Sequence, residues 1–216
     1  MNNVSFKKPE LLSLFSTPIV KININRDFTK EETDCVFNLP LQKKIGESKH
    51  HSKDFYLFDN FINEGLKDIK IFCEHELKRY LEKIEGVNTD LAGLRITQSW
   101  LNKIKPQGFH PTHYHSNSYL SGVLYISCLP NDRINFENRL EGNYNNMVLP
   151  IKKPTVWNAN VGKVDVEKGD LLLFPSWVPH SVDQNETKNR ERISLSFNTF
   201  PIGELGESTT GSHLKL

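Results

Sequence analysis

Hydrophobic positions along the chain change their period once, near residue 90. Before that point Ile62, Leu66, Ile69, Cys73, Leu77, Tyr80, Leu81 and Ile84 recur at three- and four-residue steps, the spacing of one helix face. The pattern predicts a helix over about Phe61 to Ile84, packed by that stripe against a sheet and ended by Gly86 and Asn88. A shorter helix is expected earlier, because Thr29 stands three residues before Glu32 and Cys35, Val36 and Leu39 supply a modest apolar face. Ser16 to Ile24 is β-branched and partly alternating, and Pro18 puts this strand at a sheet edge. Gln42 to Phe55, with His50 and His51 among lysines and serines, reads as a solvated loop.

From Leu94 the texture becomes short strand-like runs broken by Pro, Gly and Asn: Arg95 to Ile104, Tyr119 to Cys128, Arg133 to Phe136, Val156 to Val161, Asp170 to Phe174 and Arg192 to Thr199. The expectation is one domain over 1–216, an all-β core with packed helices. Residues 1–90 would be mixed strand and helix support, 94–200 a sheet barrel, and 201–216 a loose or surface-docked tail. A length of 216 residues is enough to bury a core without a disulfide. A net charge of +1 with both signs interspersed gives no strong field for nucleic acid or an anionic membrane. Cys35, Cys73 and Cys128 lack any CxxC spacing, and Met1 to Lys21 is too broken for a signal segment or a membrane span. Both features fit a cytoplasmic protein.

Three patches in the β-rich half carry candidate chemistry. In HPTHYH, His113 and His115 would share one face of a strand, and two imidazoles converging on one side make a metal-site geometry. In GDLLLFPSWVPHSV, an apolar strand leads into a proline-stiffened turn that delivers His180, suited to be a third ligand held in place. In RISLSFN, Arg192, Ser194, Ser196 and Asn198 alternate with Ile193, Leu195 and Phe197. With the apolar face on the core, Arg192 points inside and requires an anion. Its neighbour Glu191 would face the other way, which leaves a bound carboxylate as the natural partner. His50, His51, His75 and His213 read as surface or satisfied core residues.

This order of motifs resembles the iron- and 2-oxoglutarate-dependent dioxygenases. FSTPIV, SWLNKIKPQGFHPTHYHSNSYLSGVLYI and RISLSFN resemble more narrowly a little-characterised oxygenase family within that superfamily. The resemblance covers Phe15 to Phe200 and implies a double-stranded β-helix, a jelly-roll or cupin-like barrel with an N-terminal helical layer. It implies Fe(II), 2-oxoglutarate and O₂ as cofactors, and hydroxylation of a small-molecule or peptide side-chain carbon as 2-oxoglutarate is decarboxylated to succinate. His113 and His180 become iron ligands, Arg192 and Ser194 hold the distal carboxylate of 2-oxoglutarate, and Asn102 and Tyr125 add hydrogen bonds. Trp177, His110 and Asn198 are candidates for the substrate pocket or its supporting residues.

The usual HxD or HxE of that superfamily is replaced here by His113, Tyr114 and His115. A three-histidine site of His113, His115 and His180 is the first reading. Water, Asn117 in a frame shifted to His115, or Asp183 stand as alternatives for the remaining position. Two other functions stay open: a cupin-like three-histidine metalloenzyme that does not use 2-oxoglutarate, and a non-catalytic barrel binding a metal or ligand. The loops expected to choose the substrate are Gln42 to Asp59 and Asn138 to Lys153.

Overall fold

A computed structural model describes residues 13–43, 49–59, 61–138 and 150–216. Within them lie β1 (Val20–Asn23), α1 (Lys30–Asn38), β2 (Leu41–Lys43), β3 (His50–Ser52), α2 (Lys67–Tyr80), β4 (Ala92–Ile104), β5 (His110–His113), β6 (Leu120–Ser127), β7 (Arg133–Glu137), β8 (Val161–Asp165), β9 (Asp170–Pro175), β10 (His180–Val182), β11 (Arg192–Leu205) and β12 (Leu214–Lys215). The large sheet runs β1-β9-β6-β11-β4-β3-β2 with β12 paired to β11, and the small one runs β5-β10-β7-β8. The described strand pairs are antiparallel. Two facing antiparallel sheets with helices on the outside of the larger one form the expected jelly-roll.

The alternation of β11 decides what lies on each side of the large sheet. Ile193, Leu195 and Phe197 join Leu66, Ile69, Cys73 and Leu77 of the helical layer in one buried cluster. Arg192, Ser194 and Ser196 line a cavity between the sheets. The run DLLLF has no polar break because β9 is covered on both faces. Leu171 and Leu173 pack toward α2, while Leu172 and Phe174 pack with Val123, Tyr125, Ile134 and Phe136 between the sheets. Gly122 stands opposite Phe197, where a Cβ would come within 2.0 Å of the Phe197 ring, so the close approach requires glycine.

The Thr29 cap is formed as expected, with the Glu32 N–H donating to Thr29 Oγ1 at 3.1 Å and the Thr29 N–H donating to Glu32 Oε2 at 2.8 Å. The long helix is a 3-10 turn over Phe61–Leu66, then α2, then a π turn over Leu81–Glu85 that stops at Gly86 with φ of 68°. From Leu66 to Leu81 its stripe is buried, but Ile84 on the π turn is exposed.

Three expectations need correction. Gln42 to Phe55 is not simply a solvated loop: β2 and β3 extend the large sheet, His51 pairs with Asn102, and Lys49 and His51 are buried. The strand expected at Val156 to Val161 begins only at Val161. Ahead of it, the Thr155 N–H donates to Asn158 Oδ1 at 2.7 Å, and the resulting turn turns Val156 and Trp157 outward. The tail expected after Ile202 is partly sheet, since β11 runs on to Leu205 and β12 folds back on it. Residues 139–149 of the second expected substrate loop lie outside the described residues. Among the described residues no helix is long and apolar enough to cross a membrane.

Candidate metal centre

Cross-strand pairing brings the distant histidines together. His180 opens β10 directly opposite His113, the last residue of β5, and His115 follows on a segment whose own N–H donates to the Ser176 carbonyl at 2.9 Å. Their ring centroids lie 4.2 Å (His113 to His180), 5.1 Å (His115 to His180) and 5.2 Å (His113 to His115) apart. One nitrogen from each ring falls within 4.8 Å of the others. His115 is thus drawn in not by strand alternation, since β5 has already ended, but by the anchored turn after it.

Backbone carbonyls select the nitrogens that face inward. His113 Nδ1 lies 2.9 Å from the Pro111 carbonyl and His180 Nδ1 3.0 Å from the Val178 carbonyl, so each Nδ1 carries the proton and each Nε2 keeps a lone pair. His115 Nε2 and His180 Nε2 are 3.3 Å apart. Two nitrogens bound to one cation at about 2.1 Å would be separated by roughly 3.0–3.4 Å. Burial, then the positive charge His113 would carry, pushes His115 down to about 4. Burial likewise pushes His180 down to about 3. Three imidazoles facing one point form a donor set that fits a cation of intermediate softness.

The depressed values make a test of the metal-free protein. Unfolding lets both rings bind protons near an imidazole's ordinary value of about 6.5, while the folded protein resists until about 4 at His115 and about 3 at His180. The unfolded chain therefore takes up more protons between these values, and stability is expected to fall as pH drops from about 6.5 toward 4. Thermal midpoints measured at steps across that range should fall less in His115→Gln than in the wild type. An equal fall in both would refute the assignment.

The histidines open on a small cavity of about 40 Å³ that Trp100, Asn102, Tyr125, Arg192 and Ser194 also line. Arg192 is 4% exposed and pairs with Asp132: its Nε donates to Oδ2 at 2.7 Å, and its Nη2 also meets that carboxylate. Sequence reasoning left the guanidinium to a bound carboxylate and missed Asp132, which β7 approaches sixty positions away with no local pattern to announce it. Arg192 Nη1 is nevertheless buried without a partner. Burial pushes the Tyr125 phenol up, so it stays protonated and able to donate. Asn102 lies in the same wall, its Nδ2 donating to Ser196 Oγ at 3.0 Å and its Oδ1 accepting from Lys49 Nζ at 3.2 Å. A spare donor on Arg192, a residue that lines the same cavity as a phenol, a serine and three imidazoles, fits a chelating acid with a second carboxylate.

The other sequence candidates divide. His110 lines the cavity, its ring centroid 3.8 Å from that of His113, with burial and then Lys49 holding it neutral. Asn198 does not line the cavity: its Nδ2 donates to Gln98 Oε1 at 3.1 Å and its Oδ1 accepts from Ser121 Oγ at 3.1 Å. Trp177 is exposed and away from the lining. Asp183 accepts from Asn135 Nδ2 at 2.7 Å and lies 3.7 Å from both Arg133 and Lys163, outside the cavity. Asn117 is an exposed turn residue with φ of 55°. Lys49, half a sheet from any motif, escaped sequence reasoning altogether.

Residues 98–198, which hold the three histidines, Arg192 and Asp132, match the family model described as "Putative 2OG-Fe(II) oxygenase". Over that stretch, just under half of its length, the chain is similar to that family. Fe(II), 2-oxoglutarate and O₂ are the cofactors of that family. The chain is similar in fold to a prolyl hydroxylase from Trichoplax adhaerens, solved with a hypoxia inducible factor oxygen degradation domain peptide, at TM-score 0.60 and 12% identity over 87% of this chain and 85% of that one. It is similar to HygX from Streptomyces hygroscopicus, solved with nickel and 2-oxoglutarate, at TM-score 0.56 and 12% identity over 85% and 83%. The 2-oxoglutarate-dependent epimerase SnoN of nogalamycin biosynthesis aligns at TM-score 0.55 and 11% identity over 87% and 80%. No curated protein sequence matches the chain. The fold is therefore shared by enzymes of different reactions, and the fold alone does not choose among them.

Proposed function

We propose that the protein is an Fe(II)/2-oxoglutarate-dependent hydroxylase of a small-molecule or side-chain carbon, working in the cytoplasm as one domain. Its three free cysteines suit a reducing compartment. His113, His115 and His180 hold the iron. Arg192 receives the distal carboxylate of 2-oxoglutarate, with Ser194, Tyr125 and Asn102 beside it. What carries this reading is the buried, unpartnered Nη1 of Arg192, a residue that lines the same cavity as three convergent imidazoles.

Bound iron would supply the oxidation: one oxygen of O₂ enters a substrate C–H bond to give C–OH, the other enters succinate, and 2-oxoglutarate loses CO₂. The chain's residues do the rest. The Pro111 and Val178 carbonyls keep His113 and His180 turned inward. Val123, Ile134 and Val182 keep the cavity wall apolar, which strengthens the hydrogen bond that Nη1 offers. Asp132 binds the other side of the fork and fixes the direction of the remaining donor.

One observation favours a second reading, a three-histidine metalloenzyme that does not use 2-oxoglutarate: Asp132 already takes up Nε and Nη2, so no two-pronged grip on a further carboxylate is left on that edge. Anaerobic titration separates the two. Under the hydroxylase reading, Fe(II) followed by 2-oxoglutarate gives a metal-to-ligand absorption band, and admitting O₂ yields succinate. Iron binding without the band favours the second reading, and absence of iron binding sinks both.

A further inference from the structure

We infer that Ser176 is a positioning residue for iron binding: it clamps the segment that carries His115 and so sets where that imidazole stands. The inference rests on His115 being a metal ligand, as the hydroxylase reading has it, and adds to that reading a residue outside the ligand set. Of the three convergent histidines, His113 and His180 lie in paired strands, each opposite the other in register. His115 stands on no strand. β5 ends at His113, and the chain from Tyr114 to Tyr119 crosses to β6 outside any ladder, turning at Asn117 with φ of 55°. A ring on such a segment keeps its place only if other groups fix the backbone beneath it, because a working site tolerates displacements of only about 0.5 Å.

Ser176, the first residue after β9, supplies those groups. Its carbonyl accepts the His115 N–H at 2.9 Å, its own N–H donates to the Tyr119 carbonyl at 3.0 Å, and its Oγ donates to Ser118 Oγ at 2.7 Å. One residue therefore grips the segment at 115, 118 and 119, on both sides of the Asn117 turn. Ser176 Oγ also meets Ser121 Oγ of β6 at 2.8 Å, which ties the clamp to the large sheet. Thr199 of β11 fixes the same segment: its N–H donates to Ser118 Oγ at 3.1 Å and its carbonyl accepts the Tyr119 N–H at 3.0 Å. Ser176 and Thr199 are 0% exposed and Ser121 is 1% exposed, so water does not compete for these bonds, and a hydroxyl lost here leaves its partners without a substitute. The backbone bonds survive loss of the Ser176 hydroxyl, but the grip at 118 does not, and the segment is then free to slide with the ring it carries. Ser176 also stands four residues before His180, so the turn that delivers one imidazole holds another in place.

The test is a double-mutant cycle on the full chain, with Fe(II) affinity measured by anaerobic equilibrium dialysis for the wild type, Ser176→Ala, His115→Ala and the double variant. Partners that only orient a ligand are worth about 10- to 100-fold in metal affinity, so Ser176→Ala is expected to weaken Fe(II) binding by about tenfold. Because Ser176 acts through His115, that loss should be absent once His115 is gone. The double variant should bind within about twofold of His115→Ala, the scatter of additive changes. Ser99→Ala is the structural control: Ser99 is 1% exposed and its Oγ accepts the Phe58 N–H at 2.8 Å on the helix side of the large sheet, so its loss should lower the urea midpoint without moving Fe(II) affinity. Unchanged affinity in Ser176→Ala, or an equal loss with and without His115, overturns the inference. Should Ser176→Ala not fold, Ser118→Ala breaks the same hydroxyl contact from its other end and enters the same cycle, with the same two results overturning it. A His115→Ala affinity equal to that of the wild type sinks His115 as a ligand and the clamp's role with it, whereas a weakened His115→Ala beside an unaffected Ser176→Ala sinks this inference alone. Absence of the 2-oxoglutarate absorption band in the wild type sinks the hydroxylase reading and leaves the clamp standing on a three-histidine metal site.

Discussion

Replacing Asp132 with alanine is expected to destabilise the protein by about 3–5 kcal/mol, the usual consequence of leaving one member of a buried ion pair alone. Arg192 and Asp132 are both nearly inaccessible, at 4% exposure each. The Asp132 carboxylate does more than meet the guanidinium: it accepts the Leu129 N–H at 3.1 Å and the Arg133 N–H at 2.9 Å, closing the turn that leads into β7. Alanine removes all of these acceptors and strands a cation between two sheets. Replacing both members at once, Asp132→Leu with Arg192→Met, should recover a large part of the loss, because two apolar side chains leave no charge unmatched. Urea denaturation of the two single variants and the double variant measures both effects. A single-variant loss below about 1 kcal/mol, the range of exposed pairs, would mean that the pair is not formed in solution.

The contrast between Arg192 and Asp132 shows where sequence reasoning reaches and where it stops. Alternation in RISLSFN placed Arg192, Ser194 and Ser196 on the cavity side and Ile193, Leu195 and Phe197 on the helix side, and the pairing of β11 with β4 and β6 agrees with it. Period alone carries that information, because one face of the strand is apolar throughout. The meeting of His113 with His180 was foreseen from motif order and resemblance, although the convergence of His115 depends on a turn after β5 rather than on strand alternation. Asp132 and Lys49 were invisible for a common reason. Each reaches the cavity through a contact of long sequence separation, 60 residues for Arg192 with Asp132 and 53 for Lys49 with Asn102. Each also sits among polar neighbours that read as loop. The polar strand β3, between β4 and the edge strand β2, hid in the same way, since its hydrogen-bonding partners, not its own composition, make it a strand.

Among the histidines, His180→Ala is expected to weaken iron binding by at least about 100-fold, at or beyond the upper end of what losing a partner that merely orients a ligand does. His180 stands at the centre of the cluster, opposite His113 in register and 3.3 Å from His115 across their Nε2 atoms, so its removal takes one ligand and the neighbour that aligns the other two. His110→Ala is the control, because the ring stacks on His113 but His110 is not part of the convergent donor set. It should shift affinity far less than His180→Ala does. His115 separates the remaining alternatives. His115→Ala should also weaken iron binding, whereas His115→Asp would convert the set to two histidines and a carboxylate, a common ferrous arrangement, and should bind Fe(II) at least as well as the wild type. Anaerobic Fe(II) equilibrium dialysis across these four variants reads the outcome directly. If His115→Ala binds iron like the wild type, the third ligand is not His115, and the affinity must come from His113 and His180 with water or another donor.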